Sequence, residues 1–212
     1  MLQKIDKFKI DSPKLKIIDD VLYSDILDKD NIEYFSFKDE NIKLNSYTTI
    51  NSCMFENIVF LENKLINNSI MDVIFINCDL SKLTFINSSF YRVKFINCKL
   101  LGTNIFDSIL NNVEIRESLC DYINIANSNF KNTKIEDSNF NESILLENKV
   151  NNLLIINTSL KKAEIIKTSL NNVDLSTSNI SEIKTDLYSI KGAIINASQS
   201  MDLIYLLDVN IR

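Results

Sequence analysis

Residues 73–100 read VIFINCDLSKLTFINSSFYRVKFINCKL. Within this stretch Phe75, Leu80, Phe85, Phe90, Phe95 and Leu100 recur every five residues, and two positions before each stands Val73, Cys78, Leu83, Ser88, Val93 or Cys98. Outward from it the period holds in both directions. Every fifth residue from Ile50 to Ile180 is apolar, 27 positions without a miss, and 20 of the 27 residues two places earlier are Ala, Cys, Ser, Thr or Val. At this hydrophobic content chance gives such a run roughly once in a billion trials, so the repeat is real. A period of five fits neither a helix nor a long strand. It fits short extended sides with a corner after each, where the small and the large residue, two apart, point the same way.

The chain has only two glycines and one proline, so Asn must serve at many corners. A type II turn needs a positive φ at its third residue, and Asn tolerates it best after Gly. The FIN triplets at Phe75, Phe85 and Phe95 put Asn77, Asn87 and Asn97 there, and Asn127 and Asn157 continue the pattern.

On these residues the segment 50–180 resembles the pentapeptide-repeat family, whose unit is a small residue, any residue, Leu or Phe, and two more. The resemblance implies an all-β solenoid, a right-handed quadrilateral β-helix with four pentapeptides per coil and columns stepping by 20. Phe55, Phe75, Phe95, Ile115, Ile135, Ile155 and Leu175 then form one column, and Phe60, Leu80, Leu100, Cys120, Phe140, Leu160 and Ile180 the opposite one.

The flanks read as caps, which a stack with open strand edges requires. Residues 1–49 are expected to form an N-terminal cap. Ser12 and Pro13 suit the start of a helix, with Leu15, Ile18, Leu22 and Ile26 at helical spacing. Ile32, Phe37, Ile42 and Tyr47 recur every five in a register two off the main one, so a first coil is expected near residue 32 with a break at Thr48 and Thr49. Residues 181–212 resemble the C-terminal module of the family's quinolone-resistance members. That likeness implies a capping helix near Ser198–Leu207 and a homodimer formed through Leu203, Ile204, Leu206 and Leu207. Asp208 stands where the family usually has Gly.

Much is excluded. There is no His, and no GxSxG, P-loop or HExxH motif, so no catalytic, cofactor or metal site is expected. Cys53, Cys78, Cys98 and Cys120 lack CxxC spacing and read as free buried thiols. No apolar run reaches membrane-spanning length and the start carries charges, so a cytoplasmic protein is expected. A net charge of -5 with no basic cluster argues against direct nucleic-acid binding.

A surface for a protein partner remains. Acids gather in 107–150, and threading on a 20-residue coil places Glu117 beside Asp137 and Asp107 two coils from Glu147. The residue after the core position reads Ile66, Ile86, Phe106, Ala126, Leu146 and Ile166 down one corner, an apolar stripe covered either by the N-terminal segment or by a partner. Two functions follow. By resemblance the chain is a DNA mimic that binds DNA gyrase or another type II topoisomerase and confers quinolone protection; alternatively it is a protein-binding scaffold that uses the apolar stripe. Residues 50–180 carry 12 basic against 14 acidic side chains, a weak field for mimicry.

Overall fold

The computed structural model of the chain describes residues 8–20, 22 and 30–207. They form a parallel β-solenoid with four sides, named here by the central residue of one coil: the Phe90, Phe95, Leu100 and Ile105 sides. Long strands wrap the first two. Strands Thr49–Glu56, Ser69–Ile76, Ser89–Ile96, Ile109–Arg116, Asn129–Glu136 and Lys149–Ile156 stack in parallel, each residue opposite the one 20 further on. The Ile105 side is a seven-stranded ladder of short strands that includes Lys64–Ile66, Thr84–Ile86, Asn104–Phe106, Asn124–Ala126, Ile144–Leu146 and Glu164–Ile166. The Leu100 side carries mostly single bridges, from Val59–Asp79 to Ser159–Asn179.

The corners explain the period. Asn77, Asn87, Asn97, Asn127 and Asn157 all have φ between 46° and 55°, the left-handed conformation that the sequence assigns to them. The chain therefore turns once per five residues while the two inward residues of each side fill the interior. Phe37, Phe55, Phe75, Phe95, Ile115, Ile135, Ile155 and Leu175 make one interior column, all buried. Its four Phe rings stack at 4.9, 5.1 and 5.0 Å, because in-register parallel strands impose a spacing close to that of stacked rings. The four cysteines are buried and free. Burial pushes the Cys53 thiol up to about 11 and raises Cys120 as well.

The first coil is shorter than the rest. Ile32, Phe37 and Ile42 are buried opposite Ile50, Phe55 and Phe60, eighteen residues apart. Tyr47 departs from the expected pattern: it is 65% exposed in a left-handed corner, and Leu44 fills the interior instead. The break thus falls after Ile42, two residues being lost between the third and fourth sides.

No helix forms over residues 8–20, a correction to the expected N-terminal cap helix. A two-residue strand, Asp19–Asp20, pairs with Phe35–Lys38, and the residues before it run extended along the rod. Pro13, Leu15 and Ile17 are half-buried while Lys14 and Lys16 are exposed, a period of two rather than 3.6. Leu22 is exposed, and Ile26 lies outside the described residues. The C-terminal cap is helical, but in short pieces: two single-turn helices, Leu187–Ile190 and Ser200–Leu203, and a 3₁₀ turn, Ile204–Leu207. Asn196 lies just before the expected cap helix and Gln199 in its expected first turn. They hydrogen-bond each other, and the Gln199 amide donates to the carbonyls of Leu175 and Ser178 at 2.9 and 2.6 Å, closing the last coil.

Candidate interaction surface

The stripe exists as one ladder. Ile66, Ile86, Phe106, Ala126, Leu146 and Ile166 are consecutive Cα partners at the edge of the Ile105 side, so each lies one strand spacing from the next. Ala126 is only 8% exposed, and Leu146 is 37% exposed; the other four are half-buried. Exposed Ile109 follows Phe106 across the corner, and exposed Ile144 stands on the strand of Leu146. At its C-terminal end lies a depression of about 680 Å³ lined by Glu147, Lys149, Val150, Lys167 and the exposed Tyr188.

Asp107 and Glu147 stand directly after Phe106 and Leu146 in the chain, in left-handed corners, and border the stripe. Glu117 and Asp137 also occupy corners, but ten residues further round the coil, on the diagonally opposite edge of the rod. The four acids are exposed yet share no face. Two of them are also screened: Lys167 Nζ sits 2.6 Å from Glu147 Oε1, and Arg116 Nε 3.7 Å from Glu117 Oε1. On the Phe95 side, Lys94, Glu114, Lys134 and Glu136 form an alternating charge ladder with no excess of either sign.

The described part of the N-terminal segment lies elsewhere. Ahead of the Asp19–Asp20 strand, its hydrogen bonds are to the corner between the Phe90 and Phe95 sides. The Asp11 amide donates to Asn112 Oδ1 (3.0 Å), the Lys14 amide to Asp72 Oδ1 (2.8 Å), Ser52 Oγ to the Lys14 carbonyl (3.2 Å) and the Ile18 amide to the Tyr34 carbonyl (2.9 Å). The expectation that this segment covers the apolar stripe fails for these residues, because their hydrogen-bonding partners stand a quarter turn away.

Sequence reading missed this corner. Asp72 is bound by Arg92 through two nitrogens, Nε at 2.6 Å, and Arg92 in turn lies over the Tyr91 ring at 4.2 Å. Burial pushes the Asp72 carboxyl up, but the Arg92 guanidinium and the Lys14 amide outweigh it and hold the group below the usual carboxylate range. A signal was present: Asp72 and Arg92 take left-handed corners, with φ 55° and 53°, where most coils place Asn.

In the C-terminal module Leu203 packs against the core, and Ile204 and Leu206 are half-buried. The side chain of Leu207, and all of Asp208, lie outside the described residues. Among the described residues no helix is long and apolar enough to cross a membrane, and no three His, Cys, Asp or Glu side chains could share a metal ion.

Residues 48–125 match the family model described as a pentapeptide repeat region. No curated protein matches the chain. Among solved structures it is similar to a trypsin-treated variant of QnrB1, a plasmid-mediated fluoroquinolone resistance protein, at 14% identity and a TM-score of 0.44, over 84% of this chain and 99% of that one. It is also similar to HetL, a pentapeptide repeat protein involved in heterocyst differentiation regulation from the cyanobacterium Nostoc, at 14% identity and a TM-score of 0.31, over 78% and 83% of the two chains. Likeness at this level carries no role from one protein to another. The five-residue period, the left-handed corner that closes each side and the family-model match agree over residues 48–125, and that part of the rod is a pentapeptide repeat region.

Proposed function

We propose that the chain is a non-catalytic, cytoplasmic interaction rod that docks a protein partner on the apolar stripe of its Ile105 side. One observation carries the reading: Ile66, Ile86, Phe106, Leu146 and Ile166 line up on a rigid ladder, and the described N-terminal segment is tied to a different corner. A solenoid holds such a row at fixed spacing, which pre-organises it for a partner. DNA mimicry of a gyrase substrate is the weaker reading. A competitor for a phosphate-binding surface needs a concentrated negative face, whereas Asp107 and Glu147 stand diagonally opposite Glu117 and Asp137, two of the four beside cations. A homodimer through the C-terminal module belongs to the same proposal, with Ile204 and Leu206 beside the exposed Met201 and Tyr205.

The test is a supercoiling assay with purified DNA gyrase at two salt concentrations, with and without a quinolone, using wild type, Phe106→Ser/Leu146→Ser and Asp107→Asn/Glu147→Asn. The docking reading expects any effect on gyrase to persist at high salt and to vanish in the apolar pair. An effect that falls steeply with salt and vanishes in the acidic pair would replace it with mimicry. If gyrase is unaffected, the partner is another protein, and binding from cell extract should survive high salt with wild type and be lost in Phe106→Ser/Leu146→Ser; equal recovery by both would rule the stripe out.

A further inference from the structure

The corner that holds the N-terminal segment has features the coil does not require. Left-handed corners elsewhere take Asn, Asp, Glu, Lys and Tyr, and this column reads Ser52, Asp72, Arg92 and Asn112 before Asn132, Asn152 and Asn172. Lys82, Lys162 and Lys167 take left-handed corners too, so the conformation alone gives no reason for Arg92. The bound segment does: Arg92 fixes the Asp72 carboxylate, whose oxygen also receives the Lys14 amide. Ser52, Asp72 and Asn112 of this column all bond that segment.

What the receptor reads is main chain. Asn112 and Asp72 accept two N–H groups three residues apart and Ser52 donates to a carbonyl, so all three bonds engage the backbone of residues 11–14. Asn112 and Asp72 are two coils apart, roughly 9.5 Å, which matches three residues of extended chain at ~3.3 Å each. Pro13, Leu15 and Ile17 turn toward the rod while Lys14 and Lys16 face out. Main-chain bonds plus alternate side chains is the general mode by which extended peptides are recognised.

We propose that the corner formed by Ser52, Asp72, Arg92 and Asn112 is a binding track for an extended peptide with apolar residues at alternate positions, which residues 11–18 occupy in cis and a partner's segment takes in trans. This site is independent of the stripe on the Ile105 side. Among the described residues the cis segment is held by few bonds and lies outside the stacked coils, so it belongs to the low-stability end of the molecule and can open without unfolding the rod. While docked it competes as a tethered ligand at an effective concentration of about millimolar, which masks the track from weak partners.

The probe is a labelled peptide of residues 8–20 titrated into the full-length chain. Lys14→Pro removes the amide that Asp72 accepts and leaves the receptor intact, so this variant should bind the peptide at least about tenfold more tightly than wild type. Adding Asp72→Gly, which suits the left-handed corner but has no acceptor, should abolish the gain. Asn112→Gly in the Lys14→Pro background should do the same without disturbing Arg92, and thermal melts of each variant check that the coils are intact. Equal binding by wild type and Lys14→Pro, or a gain that neither glycine substitution removes, would overturn the track.

Discussion

Ser88, Ser108 and Ser128 each serve two coils. Each hydroxyl donates to a carbonyl two residues before it, Ile86, Phe106 and Ala126, and accepts the amide of the residue 20 earlier, from Asn68, Ser88 and Ser108 at 3.0 to 3.2 Å. Asn148, Thr168 and Ser189 continue the line as acceptors to the C-terminal cap. These amides are buried at the corner, where no strand partner reaches them, so the side chain completes the backbone's hydrogen bonding. Ser128→Ala should therefore destabilise the rod by about 1–3 kcal/mol by orphaning the Ser108 amide, and urea unfolding would show it. The same change at exposed Ser198 should stay within about 0.5 kcal/mol. From sequence these positions read as small, which is true but incomplete. Their acceptor role depends on an amide 20 residues away, and a local pattern does not display it, whereas the large residue of each repeat is legible because burial is set by the period alone.

The N-terminal segment shows how an element can carry two patterns at once. Leu15, Ile18 and Leu22 fit a helix, and Pro13, Leu15 and Ile17 fit an extended chain; the second is realised because Asp72 and Asn112, 58 and 101 residues away, accept the main-chain amides a helix would have used internally. Its attachment should be pH-dependent. The Asp72 carboxyl is held below its usual range, and a depressed pKa contributes stability that is present above the unfolded value of about 3.9 and lost as pH falls through the folded one. Hydrogen exchange corrected for intrinsic rates should find the Lys14 amide protected at pH 5 and unprotected well below pH 4. The Asn77 amide, bonded to the Ile96 carbonyl of the next coil, should stay protected throughout. The first coil, by contrast, was legible through Ile32, Phe37 and Ile42, and failed only at Tyr47, where two missing residues shift the fourth side.

At the scale of the whole molecule, each coil touches mainly its two neighbours, so stability should propagate only locally. Gln199→Ala removes the amide that closes the carbonyls of Leu175 and Ser178, and should raise exchange in the last coil while leaving the amides around Phe90 unchanged. A uniform rise along the chain would show that the rod melts as one unit. The diagonal placement of the acids also belongs to this scale: charge counts along the chain located them between 107 and 150, but only the modulus of their positions decides which edge each occupies. The same arithmetic governs how such a rod can change length. Because contacts step by twenty, loss or gain of a full coil leaves every downstream side chain on its original side, whereas a change of five residues rotates everything after it by a quarter turn. A single repeat inserted after Phe106 would leave its core filled and its corners closed, yet move Leu146 and Ile166 onto the neighbouring edge and split the stripe in two. In this architecture the binding face is a property of register, and it can be rewritten without altering a single residue that forms it.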